Sequence, residues 1–238
     1  MHQLVVELRD DSKRQVSFSA IDYQQKSLIW KDLKVKERWW VNLLAAERDT
    51  IVLQQFHGNE NPDKKTLLGL DAATLQERWR KENFSFQSLQ NGKIRGLLID
   101  PEPVTVVFDA HSGENVQEEI NDPGGNEIFG LVRPFQYLEG TPYFKTVYDF
   151  VSGQCGDSII GAAEYVESDG LIFISYYVKN EDGLANYLLV ITSAGAVLLH
   201  EKLGERLKGL GVDTFFLLAG CLFYIRNKNE LLSYYIFT

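Results

Sequence analysis

Gly69-Leu70-Asp71-Ala72-Ala73-Thr74, followed by Glu77-Arg78-Trp79, is the stretch on which the reading of this chain turns. An apolar run ends in a polar turn, and a second apolar run follows. The same phrase stands as Ala20-Ile21-Asp22 with Leu28-Ile29-Trp30, and as Val107-Phe108-Asp109-Ala110-His111-Ser112-Gly113. Weaker copies are Tyr148-Asp149-Phe150-Val151-Ser152-Gly153 and Val190-Ile191-Thr192-Ser193-Ala194-Gly195. The Asp or Thr falls at 22, 71, 109, 149 and 192, in steps of 49, 38, 40 and 43 residues. Strand-turn-strand units recurring about every forty residues predict a β-propeller.

The pattern predicts an all-β protein: one small propeller domain over residues 1–238, with five to six four-stranded blades. Leu4 to Leu8, Gln15 to Ile21 and Ser27 to Leu33 read as strands. So do Thr50 to Phe56, Thr66 to Leu70 and Gln76 to Arg80, with inner strands near Trp39, Phe84, Ile160 and Thr214. Asn91-Gly92 between apolar runs predicts a two-residue hairpin, because both positions tolerate positive φ. Phe144 to Val151 reads as a strand, and Leu203, Leu207 and Leu210 suggest a short helical turn within Glu201 to Gly211. The segment from Gly113 to Glu127 carries Glu114, Glu118, Glu119, Asp122 and Glu127 without a base and reads as a surface loop. Each terminus offers three strands. Sharing one blade between Leu4–Leu33 and Thr214–Phe237 would close the ring and remove exposed edges.

The phrase from Leu70 through Trp79 resembles the blade of the quinoprotein alcohol dehydrogenase-like, pyrroloquinoline-quinone-type propellers. In that family an Ala-x-Asp-x-x-Thr-Gly turn precedes a Trp that packs between blades. Trp79 and Trp30 match that Trp, and Gly113, Gly153 and Gly195 match the glycine, whose place Leu75 takes in the best copy. The family's larger enzymes carry adjacent cysteines in a disulfide, a calcium site and an acidic base. This chain has no adjacent cysteines and too few residues for eight blades. The resemblance therefore implies a fold without its quinone chemistry, and no cofactor is expected.

Charge and composition narrow the function. A net charge of −9 disfavours a nucleic-acid phosphate backbone or an anionic membrane surface. Glu7 and Arg9 break the first apolar run, so a signal peptide is not expected and the cytoplasm is the expected compartment. Cys155 and Cys221 are too few for a disulfide framework, and neither has a His at informative spacing. His2, His57, His111 and His200 are scattered, so no metal site is expected.

The best binding candidates are aromatic. In Trp39-Trp40, adjacent strand residues face opposite sides, so one packs inward while the other is available to stack on a sugar or peptide. Arg133, Tyr137 and Tyr143 fall beside Pro134 and Pro142 in the least regular segment. Glu47, Glu164 and Asp213 are candidate channel carboxylates, of which Glu164 joins the binding set. The expected function is a non-catalytic scaffold for a protein or small polar ligand. The alternative is a carbohydrate hydrolase, which needs two carboxylates about 5–10 Å apart.

Overall fold

A computed structural model describes residues 2–47, 49–57, 65–99, 101–117 and 130–236. The chain divides into two compact units, residues 1–126 and 127–238.

In the first unit, β1 (Gln3–Asp10), β2 (Gln15–Asp22) and β3 (Ser27–Leu33) form one antiparallel sheet. A second comprises β4 (Val41–Glu47), β5 (Thr50–Phe56), β6 (Lys65–Asp71) and β7 (Glu77–Lys81). A third comprises β8 (Phe84–Gln90), β9 (Lys93–Leu98) and β10 (Val104–Asp109). Alternation along β5 and β6 explains the layering, because successive side chains point to opposite faces. Ile51, Leu53, Leu68 and Leu70 join Phe18 and Ala20 in one core, while Val52 and Leu67 join Phe84, Ile94 and Phe108 in another. The β4–β7 sheet is thus apolar on both faces.

The recurring phrase has a common local cause. The Asp22, Asp71 and Asp109 carboxylates each accept the backbone N–H groups two and three residues on, at 2.7–3.0 Å. A short acidic side chain at a turn does this readily. The next residue then donates its N–H to the residue just before the paired strand: Tyr23 to His2, Ala72 to Asp49, Ala110 to Gly92. Thr192 belongs to the same set, with Ser193 donating to Gly170. The two tryptophans also match. Trp30 Nε1 donates to the Ala72 carbonyl and Trp79 Nε1 to the Ala110 carbonyl, each at 2.9 Å. Within this unit, each tryptophan ties its own sheet to the Asp turn of the next.

In the second unit, β11 (Leu131–Val132) and β12 (Phe135–Leu138) precede a helix, α1 (Pro142–Cys155). Then come β13 (Ile159–Ser168), β14 (Leu171–Asn180), β15 (Gly183–Thr192) and β16 (Val197–Leu207), followed by β17 (Phe215–Leu218), β18 (Cys221–Arg226) and β19 (Glu230–Tyr235). Strands β12 to β16 form one sheet, and β11 joins β17 to β19 in another. Leu171 and Phe173 meet Phe215, Leu217 and Tyr224 on one face of β14. Ile174 and Tyr176 meet Phe144, Val147 and Val151 of α1 on the other.

Several expectations are corrected. Residues 144–151 are helical, so the copy at Asp149 is not a turn. Thr141 caps the helix by accepting the Phe144 N–H, Pro142 opens it, and Gly156 ends it at φ 75°. Phe144, Val147 and Val151 recur at helical spacing and are buried. Thr141→Ala should cost about 1 kcal/mol, read from urea denaturation followed by helical circular dichroism. Residues 201–207 continue strand β16 rather than forming a helical turn. The two ends share no sheet among the described residues: Leu131 of β11 pairs with Leu218, completing the C-terminal sheet locally. Among the described residues the sheets have three, four, three, five and four strands. Most of the acidic loop, residues 118–127, lies outside the described residues.

A polar clasp supports the turns of the first unit. Arg78 donates to Asp49 at 2.9 Å, to Asp71 and to Thr50. His111 Nδ1 lies 2.8 Å from Asp49. The Thr74 N–H and then Arg78 hold Asp71 down at about 2, from 3.8. Arg78 and then His111 hold Asp49 well below the usual carboxylate range. Carboxylates with lowered folded-state pKa values stabilise the fold above their unfolded pKa and lose that contribution as pH falls through the folded value. Thermal melts should therefore be flat in this respect above about pH 5 and fall between about pH 4 and pH 2. Asp71→Asn should flatten that fall.

Candidate functional site

Tyr137 and Tyr143 come together. Tyr137 lies on β12, Tyr143 in the first turn of α1, and their rings stack at 5.3 Å with 21° between planes. Tyr165 of β13 stands 6.3 Å from Tyr137. These three tyrosines border a cavity of about 250 Å³, whose floor is Ile172 and Ile174 of β14. Thr146, Val147 and Phe150 close it from the helix. The helix supplies 143, 146, 147 and 150 because residues three and four apart share a face. The strand supplies 172 and 174 because alternate residues do.

Oxygen enters this apolar wall through the tyrosines and Thr146. Tyr165 donates to the Glu167 carboxylate, and burial together with that carboxylate pushes the Tyr165 hydroxyl well above its ordinary value. The hydroxyl stays protonated, a hydrogen-bond donor. No carboxylate lines the cavity among the described residues.

The other candidate residues lie elsewhere. Trp39 packs against the core of the first unit, with the Arg9 guanidinium over its ring at 5.5 Å, while Trp40 is 56% exposed. Glu37 fixes both by accepting their backbone N–H groups at 3.0 and 2.9 Å. Glu164 is only 1% exposed. Its carboxylate accepts the Asp213 N–H at 2.6 Å, the Thr214 N–H at 2.9 Å and the Thr214 hydroxyl. It anchors the loop before β17 rather than facing a ligand. Arg133 pairs with Asp213 at 2.6 Å on the surface. Both unit-two carboxylates proposed for hydrolysis are therefore held by protein donors.

A second cluster escapes sequence spacing. Cys155 ends α1, Asp157 follows the Gly156 turn, and His200 lies on β16. One ligand atom from each falls within 4.8 Å of the other two. The Tyr176 hydroxyl joins them, 2.6 Å from Asp157 Oδ2 and 2.7 Å from His200 Nε2. Burial pushes the Cys155 thiol above its ordinary value. A protonated thiol is a poor nucleophile. No sequence spacing signals this pairing: forty-five residues separate Cys155 from His200, and the pairing of β13 to β16 brings them together.

Comparisons with known proteins bear on the first unit. No curated protein matches the chain. Residues 1–79 match the family described as a domain of unknown function, DUF4905, a span that runs from β1 to the docking Trp79.

Proposed function

We propose that this protein is a non-catalytic binding protein whose ligand is a small, flat, mainly apolar molecule held beside the stacked Tyr137 and Tyr143. The tyrosine-lined cavity carries this reading. Binding pockets are mostly apolar with a few placed polar groups, and this wall fits that description. Its volume lies just below the roughly 300 Å³ at which drug-sized sites begin, and above the roughly 150 Å³ that admits benzene. A single-ring or fused-ring compound fits these limits better than a sugar chain. The absence of carboxylates from the described wall gives hydrolysis no support.

The proposal retains the propeller relationship. The shared Asp turns and the two tryptophan bonds support it. No helix among the described residues is long and apolar enough to cross a membrane. We place the protein in the cytoplasm, where a thiol such as Cys155, outside any disulfide, stays reduced. Its net charge of −9 disfavours nucleic acid as a partner.

Calorimetric titration with indole tests the site. Binding should weaken about fivefold in Tyr143→Ala, as loss of an aromatic contact worth about 1 kcal/mol implies. An unchanged affinity in that variant, or no heat from the wild-type protein, would count against the pocket.

A further inference from the structure

We propose that Cys155, Asp157 and His200 form a mononuclear zinc site at the C-terminal end of α1, separate from the tyrosine cavity. They offer one sulfur, one oxygen and one nitrogen, with ligand atoms within 4.8 Å of one another. Zn²⁺, a borderline-soft ion, takes that mixture. With Zn–S near 2.3 Å and Zn–N or Zn–O near 2.0 Å, tetrahedral ligands stand roughly 3.3–3.5 Å apart. His200 Nε2 and Asp157 Oδ2 are 3.7 Å apart. The site therefore needs adjustments of side chains, not of the fold.

Each ligand is also held in place. Gly156, in the left-handed conformation, turns the chain so that Asp157 follows directly on Cys155. The His200 ring stacks at 6.3 Å on Tyr176 and lies 5.6 Å from Tyr187. Tyr176 is fully buried, and its hydroxyl donates to Asp157 while His200 Nε2–H donates to it. The Tyr176 bond to Asp157 remains as an outer hydrogen bond of the kind that orients a metal ligand and raises affinity, while the His200 Nε2–H bond gives way to the metal. On binding, His200 carries its proton on Nδ1 and presents the Nε2 lone pair. Cys155 forms the Zn–S bond and releases its thiol proton to solvent. Three protein ligands leave the fourth position to water.

The test uses the whole chain, stripped of metal and dialysed against Zn²⁺, then in parallel against Co²⁺. The expected result is one Zn²⁺ retained per chain and a thiolate-to-cobalt charge-transfer band. Cys155→Ser should remove the band and Cys221→Ser should keep it. Tyr176→Phe should weaken Zn²⁺ binding about 10- to 100-fold, as lost outer-shell support does. Zn²⁺ should also protect Cys155 of the unaltered protein from iodoacetamide, a readout that needs no variant. No retained Zn²⁺, a cobalt spectrum without the thiolate band, or alkylation of Cys155 unaffected by Zn²⁺ would each overturn the proposal.

Discussion

Replacing Trp79 with alanine is expected to cost the first unit about 3–5 kcal/mol, the range for removing a large aromatic from a core. The indole is 8% exposed and serves two sheets. It lies over Gly69, its cross-strand partner, so closely that a Cβ there would stand 2.1 Å from the ring. It also covers Gly113, where a Cβ would stand 2.6 Å away. Neither glycine has a side chain to fill the void left by its loss. An edge-on contact with Phe108 at 5.2 Å and the bond to the Ala110 carbonyl would go too. Trp79→Phe should cost less, about 1–3 kcal/mol, because it keeps an apolar ring but leaves that buried carbonyl unmet. Urea denaturation of both variants provides the check. A Trp79→Ala loss below about 1 kcal/mol would mean that the indole does not join the sheets.

Glu164→Ala is expected to be comparably damaging to the second unit, at about 3–5 kcal/mol, because it leaves three hydrogen-bond donors without their acceptor, each loss costing about 1–3 kcal/mol. Its carboxylate satisfies two backbone N–H groups and a hydroxyl in the loop before β17. Thr214 Oγ1 in turn accepts from the Ser175 hydroxyl, which accepts from Asn186, so the loss reaches the middle of the sheet. Glu164→Gln retains one acceptor oxygen and should lose less. Hydrogen exchange reads the effect directly: amides 213 and 214 should lose protection in the alanine variant. Unchanged protection would show that the loop is held by other contacts.

The parts of this fold that could be read from the sequence are those decided within a few residues. An Asp that caps its own turn needs only the next three residues, so Asp22, Asp71 and Asp109 were legible. The tryptophans were legible because a large indole at a fixed place after such a turn has one efficient use, burial against the next sheet. Asp149 shows where lettering misleads. The strand-turn phrase is present, but Thr141-Pro142 and the spacing of 144, 147 and 151 carry the stronger physical signal. Leu203 and Leu207 misled in the opposite direction: their helical spacing falls on a strand whose pairing with β15 shifts register more than once.

The site was only partly legible. Tyr137 and Tyr143 stood out by composition beside prolines, yet Tyr165 and the isoleucines that complete the cavity come from other strands. Glu164 was legible as a notable acid but not as a buried one, because burial depends on which face of β13 meets β17 to β19. The Cys155, Asp157 and His200 cluster depends on four strands pairing in order, and no local spacing encodes that.

The most direct test of the binding proposal is the aromatic-region carbon–proton NMR spectrum of the protein titrated with indole. The account predicts saturable shifts of Tyr137, Tyr143, Phe150 and Tyr165, with Trp40 unmoved. Shifts confined to Trp40, or none at any aromatic ring, would contradict it.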